Sequence, residues 1–127
     1  MTALLLLSAL AFQATAAAQN PDFAKWWKQF QAAVAKRDID AIAQGVEFPL
    51  DWENGPIRKI QSASEFKSRF DSYFTAEIKK MIATKKPERL PNGGYIITWK
   101  ARGNEYSIAF KPQGASYALE YLSEGPP

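Results

Sequence analysis

Apolar and polar residues alternate through residues 94–122, as they do in strands that bury one face. Gly103-Asn104 suits a two-residue hairpin loop because both residues tolerate positive φ, and a second turn falls at residues 112–115. The pattern therefore predicts three antiparallel strands with one continuous apolar face. The residues predicted on that face are Tyr95, Ile97, Trp99, Ala101, Tyr106, Ile108, Phe110, Tyr117, Leu119 and Tyr121.

The positions of the two turns also predict the register of these strands. Trp99 is expected opposite Ile108, and Tyr106 opposite Tyr121. A slip of one residue would move every apolar side chain to the polar face, so the sorting of the side chains supports this register. The acidic residues of these strands are predicted to lie on the polar face: Glu105 and Glu120. No carboxylate is therefore expected on the apolar face.

Two segments with helical spacing of apolar residues are expected to pack on the apolar face of these strands. Residues 23–34 repeat aromatic side chains on one side of a helix of about four turns. A second helix, over residues 66–82, begins after a capping box formed by Ser62 and Glu65, and Thr75 restarts it after a kink. Both helices are amphipathic, so we expect both to pack on the sheet.

Trp26 and Trp27 are adjacent, so their rings cannot both point from one helix into the core. The helical spacing places Trp27 in the core and Trp26 at its rim. An exposed Trp26 would indicate a partner surface or a dimer interface.

The segment before the second long helix predicts a short helix and then a hairpin that turns at Asn54-Gly55. This turn sets Asp51 beside Arg58, where the two side chains form a solvated cross-strand ion pair. Because proline has no backbone donor, Pro49 and Pro56 place the hairpin at an edge of the sheet.

Residues 1–18 have the pattern of a secretory signal peptide. The apolar run at residues 3–12 is too short to span a bilayer, and the small residues before Gln19 fit cleavage after Ala18. Residues 19–127 are then predicted to form a single domain that is periplasmic or secreted, without stable membrane insertion after cleavage. Because residues 1–18 contain no Lys or Arg, an uncleaved apolar N-terminal helix is the alternative.

The composition excludes several classes of catalytic and metal-binding site. The chain has no Cys and no His, which excludes disulfides, thiol nucleophiles, Ser-His-Asp catalysis and imidazole metal sites. No metal, cofactor or catalytic residue is predicted. The net charge of +3 is spread along the chain, and the basic residues at positions 79–89 suit the C-terminal end of a helix. No nucleic-acid partner is therefore predicted.

The order of elements predicts an α+β fold, with N-terminal helices packed on a curved, mainly antiparallel sheet of about five strands. In this order and spacing the chain resembles the nuclear-transport-factor-2-like superfamily, which has a cone-shaped α+β fold and includes ketosteroid isomerases and SnoaL-type cyclases. The matching segments are residues 23–34, Phe48-Pro49-Leu50, the SxxEFxxxFxxYF run of residues 62–74, and the closing strands with Trp99. The chain is most similar to small exported bacterial members of unknown function.

The resemblance implies a pocket between the helices and the concave face of the sheet. In the isomerase-like members a pocket carboxylate acts as the base, and a Tyr with a protonated Asp donates to the oxyanion. Here Ala101, Tyr106 and Tyr121 are predicted to lie level at one end of the apolar face, where two phenols beside a small residue leave room for a ligand. The candidate ligand-binding residues are Trp27, Tyr95, Trp99, Tyr106 and Tyr121. The alternative is that these side chains fill the core.

Three functions remain open from the sequence. The first is a non-enzymatic exported domain that binds an apolar or aromatic small molecule, or a protein partner. The second is an isomerase-like or cyclase-like enzyme that uses Tyr and carboxylate groups. An acidic side chain with a raised pKa beside Tyr106 or Tyr121 would favour it. The third is a structural module that forms a homodimer through the outer face of its sheet.

Overall fold

A computed structural model describes residues 22–127, so the predicted signal peptide and its cleavage site lie outside the described residues. The helices are α1 (Phe23–Lys36), α2 (Ile39–Gln44), α3 (Ala63–Ser68), α4 (Phe70–Tyr73) and α5 (Ala76–Thr84). The strands are β1 (Val46–Asn54), β2 (Ile57–Ile60), β3 (Glu88–Arg89), β4 (Tyr95–Ala101), β5 (Asn104–Gln113) and β6 (Ser116–Gly125).

The strands form one open, mixed sheet in the order β2-β1-β6-β5-β4-β3. β1 pairs with β6 in parallel, and the other neighbours are antiparallel. The α+β class is confirmed. The count of about five strands is wrong, because β3 adds a sixth: its two residues pair with the start of β4 but are too few to show alternation in the sequence.

The core lies between the helices and one face of the sheet. The helices contribute aromatic and aliphatic side chains that are almost fully buried, such as Phe66, Phe74 and Ile82. Trp27 is buried with them and Trp26 is half-buried at the edge, which confirms the predicted division of this pair. Ser62 accepts a hydrogen bond from the backbone N–H of Glu65 at 3.2 Å, which confirms Ser62 as the cap. The reciprocal half of the predicted capping box differs, because the Glu65 carboxylate accepts from the backbone N–H of Gln61 and not of Ser62.

The loop between β4 and β5 is Arg102-Gly103, with φ of 52° and 77°, and not Gly103-Asn104. The predicted register is therefore wrong by two residues: Trp99 lies opposite Tyr106 instead of Ile108. Because side chains alternate with a period of two, this shift leaves every side chain on its predicted face. The buried residues of both strands accordingly include those predicted: Ile97, Trp99, Tyr106, Ile108 and Phe110.

The end of β6 departs further from the prediction. β6 contains one extra residue, Glu120, between the pair Phe110–Leu119 and the pair Ala109–Tyr121. Beyond this bulge every side chain changes face, so Tyr121 lies on the outer face of the sheet and not opposite Tyr106.

The β1–β2 hairpin lies at the sheet edge as predicted, but its register differs. Asp51 lies opposite Lys59, not Arg58, and forms an exposed ion pair with it at 3.2 Å. Arg58 instead donates a hydrogen bond to the backbone carbonyl of Gly55 at 2.6 Å. The turn begins one residue later than predicted, since Asn54 pairs directly with Ile57.

Candidate functional site

The residues predicted to line a pocket fall into three places. Phe23 of α1 stacks on the ring of Tyr95, with 3.6 Å between centroids, and on Trp27 at 5.9 Å. Trp99 and Tyr106 stack on each other elsewhere, at 5.3 Å. Thus Trp27 and Tyr95 share one aromatic cluster and Trp99 and Tyr106 share another, while Tyr121 lies half-buried on the outer face of the sheet.

A polar network surrounds the Tyr106 hydroxyl. The hydroxyl donates to the carboxylate of Glu124 and accepts from Nη2 of Arg102 at 3.1 Å. Arg102 also lies over the Tyr106 ring and donates to both carboxylate oxygens of Glu77, at 2.7 and 2.9 Å. The network therefore joins helix α5, the β4–β5 turn and the end of β6.

The expectation that no carboxylate lies on the apolar face is wrong at Glu124. The bulge in β6 moves Leu122 and Glu124 to the inner face, where Glu124 lies opposite Tyr106. Glu124 lies beyond residues 94–122, where the sequence predicts the strands, and nothing in the local pattern marks the extra residue at Glu120. Only the pairing of β6 with two neighbouring strands reveals it.

Both carboxylates of the network are stabilised in their charged form. The hydrogen bond from Tyr106 is the main cause that lowers the pKa of Glu124, and the hydrogen bonds from Arg102 lower the pKa of Glu77. The same contact to Glu124 raises the pKa of Tyr106. The indole Nε1 of Trp99 is buried without a hydrogen bond of standard geometry, although it contributes weakly to the low pKa of Glu77. This site holds ionised, hydrogen-bonded carboxylates, which differs from a proton-accepting base with a raised pKa.

A groove of about 350 Å³ lies between α1, α2 and the β5–β6 turn. Its aromatic part consists of Trp26, Phe30 and Tyr117. The ring of Trp26 stacks on Phe30 with 5.0 Å between centroids and 17° between planes, and lies 6.0 Å from Tyr117. The remaining lining residues are Gln29, Ala33, Ala41, Gln44, Gly45, Gln113 and Ser116.

The polar side chains of this groove are uncharged. Gln29, Gln44, Gln113 and Ser116 are exposed at its rim, and no acidic or basic residue is among the lining residues. Nε2 of Gln113 donates to Glu47 at 3.4 Å, and Glu47 in turn pairs with Lys111 outside the groove. Burial raises the pKa of Tyr117, which keeps its phenol neutral.

Gly45 forms the floor of the groove where α2 meets β1. A Cβ atom here would lie 3.5 Å from Cζ2 of Trp26, so the missing side chain contributes to the open space beside the indole. The Gly45 carbonyl accepts from the backbone N–H of Leu119 at 2.7 Å, which ties α2 to β6. Sequence reasoning found Trp26 at a rim but missed this groove, because its walls come from three separate elements.

Two other recesses in the described residues include charged side chains in their lining. One of about 440 Å³, between α1 and α5, includes Arg37 and Lys79, and Arg37 is paired with Asp71 at 2.8 Å. The other, of about 280 Å³ beside β2, includes Arg58 and Arg69. Within residues 22–127 no group of acidic side chains has the arrangement of a metal site, and no helix has both the length and the hydropathy to cross a bilayer.

Comparisons of the chain with protein-family models, with curated proteins and with solved structures found no match.

Proposed function

We propose that this protein is a non-enzymatic binding protein for a small uncharged molecule, which it holds in the groove between α1, α2 and the β5–β6 turn. The observation that carries the proposal is the position of Trp26. Its neighbour Trp27 is buried, whereas the Trp26 indole borders a concave space of about 350 Å³ together with uncharged hydrogen-bonding side chains. A concave, partly aromatic surface with a few polar groups is typical of small-molecule sites.

The Tyr106 network gives less support to an isomerase-like or cyclase-like enzyme. A general base works best when its pKa lies near the working pH, and such sites achieve this by raising the pKa of a carboxylate. Glu124 and Glu77 have lowered pKa values and are hydrogen-bonded to Tyr106 and Arg102. These contacts favour a structural role, in which the network fastens α5 to the sheet.

The proposal includes membership of the nuclear-transport-factor-2-like superfamily, its cone shape, and export directed by residues 1–18. Its support is the resemblance in the order and spacing of the elements and the signal-like pattern of residues 1–18. In this setting the groove lies outside the pocket that the family would use. The competing location is the core beside the predicted pocket residues, either at the cluster of Trp27 and Tyr95 or at that of Trp99 and Tyr106. Tyr121 lies on the outer face and belongs to neither.

The four tryptophans allow one experiment to distinguish these locations. Protein expressed as the full chain and labelled with ¹⁵N is titrated with two uncharged probes, phenol and cyclohexanol, while the four indole N–H signals are followed by NMR. The variant Trp26→Phe assigns the Trp26 signal. A saturable shift of the Trp26 signal alone supports the groove, and a shift of other indole signals without Trp26 supports a site in the core. If no indole signal shifts with either probe or with a neutral saccharide, the proposed function is wrong.

A further inference from the structure

We infer that the ligand of this groove is a neutral saccharide of one or two pyranose rings, an inference that rests on the proposed function. The groove combines the half-buried indole of Trp26, several carboxamides and no charged lining side chain. Few classes of small molecule match all three features at once.

The aromatic group that a ligand can contact in this groove is the half-buried indole of Trp26. Phe30 stacks on one face of this indole, with 5.0 Å between centroids and 17° between planes, and Phe30 and Tyr117 are themselves buried. The face of an aromatic ring carries partial negative charge and attracts partially positive C–H groups. A pyranose ring presents several such C–H groups on one face, so it can lie against the accessible part of the indole.

The carboxamides require that the same ligand carries hydrogen-bonding groups around its edge. Gln29 and Gln44 each carry one acceptor and two donors, Gln113 has one donor left beside its bond to Glu47, and Ser116 adds a hydroxyl. A purely apolar ligand would cover these groups without giving them partners, which costs free energy. The equatorial hydroxyl groups of a sugar both donate and accept, so they match carboxamides in either orientation.

The charge of the lining selects against charged ligands. No lining residue is acidic or basic, and the nearby ions Glu47 and Lys111 are paired with each other. A phosphate or carboxylate on the ligand would therefore lose part of its hydration without gaining an ion pair with a basic side chain. The volume of about 350 Å³ is at the small end of the usual range of about 300–1,000 Å³, which limits the ligand to one or two rings.

The inference is tested by titrating the ¹⁵N-labelled full chain with cellobiose, maltose, N,N′-diacetylchitobiose, glucose and glucose 6-phosphate, with phenol as a non-saccharide reference. We expect at least one neutral disaccharide to shift the Trp26 indole signal, with a dissociation constant on the order of 1 mM, as for a small and open contact. The affinity should change by less than about twofold between roughly 0.05 M and 0.5 M NaCl, because no ion pair forms.

Variants locate the contact. Trp26→Ala should weaken disaccharide binding about fivefold or more, because the main stacking surface is lost. Binding by the variants is followed through the backbone amide signal of Gly45, which lines the groove. Gln44→Ala should weaken it about threefold, and since Gln44 is exposed this variant also serves if Trp26→Ala does not fold. The matched control is Gln61→Ala, an exposed glutamine after β2 and away from the groove, which should leave binding unchanged.

Each contrary result has a distinct meaning. If phenol shifts Trp26 and no saccharide does, the saccharide inference is overturned and the proposed function stands. If neither phenol nor any saccharide shifts an indole signal, both fail. Tighter binding of glucose 6-phosphate than of glucose, with loss of affinity in salt, overturns the neutral ligand. Disaccharide binding that is unaffected by both Trp26→Ala and Gln44→Ala overturns the groove as the site.

Discussion

The hydroxyl of Tyr106 donates a hydrogen bond to the carboxylate of Glu124, which is eighteen residues further along the chain. The contact depends on the extra residue Glu120, since without this bulge the carboxylate would lie on the opposite face of the sheet. Arg102 donates to the same hydroxyl and to Glu77, so the contact is one part of a continuous network from β6 to α5. The protonation state of Glu124 should therefore affect the stability of the packing between α5 and the sheet.

Glu124→Gln should reduce the acid sensitivity of the fold. The pKa of Glu124 is lowered below its ordinary value of 4.5, chiefly by the hydrogen bond from Tyr106, so its contribution to stability is complete above that value and is lost as the pH falls through the lowered pKa. We expect the free energy of unfolding in urea to fall less between about pH 5 and pH 3 in the variant than in the wild type.

The matched control for this experiment is Glu88→Gln, an exposed glutamate on the edge strand β3. This substitution should leave the pH dependence close to that of the wild type. If Glu124→Gln and the wild type lose stability equally as the pH falls, the contact between Tyr106 and Glu124 does not contribute to folding.

In this chain the sequence predicts which face of the sheet a side chain lies on better than it predicts the register between strands. Alternation along β4 and β5 identifies the buried face, and an error of two residues in the turn leaves that face unchanged. The error arises because Gly103-Asn104 has the residues that a tight turn favours, whereas the actual turn uses Arg102 at a φ of 52°. The bidentate hydrogen bonds of Arg102 to Glu77 accompany this less common conformation, and Glu77 is 25 residues earlier in the chain.

The candidate groove was less accessible to sequence reasoning than the core. Trp26 stood out because two adjacent tryptophans cannot share one buried face of a helix. Nothing in the sequence marks the glutamines as residues of a groove, since exposed polar residues are expected on any surface. Gln44 and Gln113 face the same space only because Gly45 bonds to Leu119 and brings α2 against β6, a contact between distant parts of the chain.

Gly94→Ala should destabilise the protein by about 1–3 kcal/mol, because a Cβ atom at this buried position would overpack the backbone. That atom would lie 2.7 Å from the carbonyl oxygen of Phe110, which is held in the sheet and cannot move aside as a side chain can. Urea unfolding gives the free energy. Gly125→Ala, where no atom lies within 4 Å of the added Cβ, is the control and should change stability little. Equal stability of the two variants would contradict the close approach.

Trp52→Phe should destabilise the protein by about 2–4 kcal/mol through the lost ring volume and an unsatisfied buried carbonyl. Trp52 is fully buried, stacks on Phe74 with 3° between planes, and donates its Nε1–H to the carbonyl of Tyr73 at 3.2 Å. This carbonyl lies where α4 ends, so the hydrogen bond fixes the break in the helical segment. Trp26→Phe is the matched change at a half-buried position and should cost under about 1 kcal/mol in the same unfolding experiment. A larger loss of stability in Trp26→Phe than in Trp52→Phe would contradict the placement of Trp52 in the core and Trp26 at its edge.

Gly45→Ala should stabilise the fold and at the same time make the groove smaller. The backbone of Gly45 has a φ of −94°, which alanine adopts without strain, and the added Cβ would lie 3.5 Å from both Ile42 O and Trp26 Cζ2, which is ordinary van der Waals contact. Because alanine restricts the unfolded chain, we expect a gain of about 0.4–1 kcal/mol in the free energy of unfolding. Gly55→Ala, at a φ of +63° with open space around it, isolates the backbone effect and should lose stability. If Gly45→Ala instead destabilises the protein, there is less space between α2 and Trp26 than the 3.5 Å contacts indicate. If it stabilises the protein and also weakens the response of the Trp26 signal to phenol or disaccharide, then glycine at this position favours ligand binding at a cost in stability.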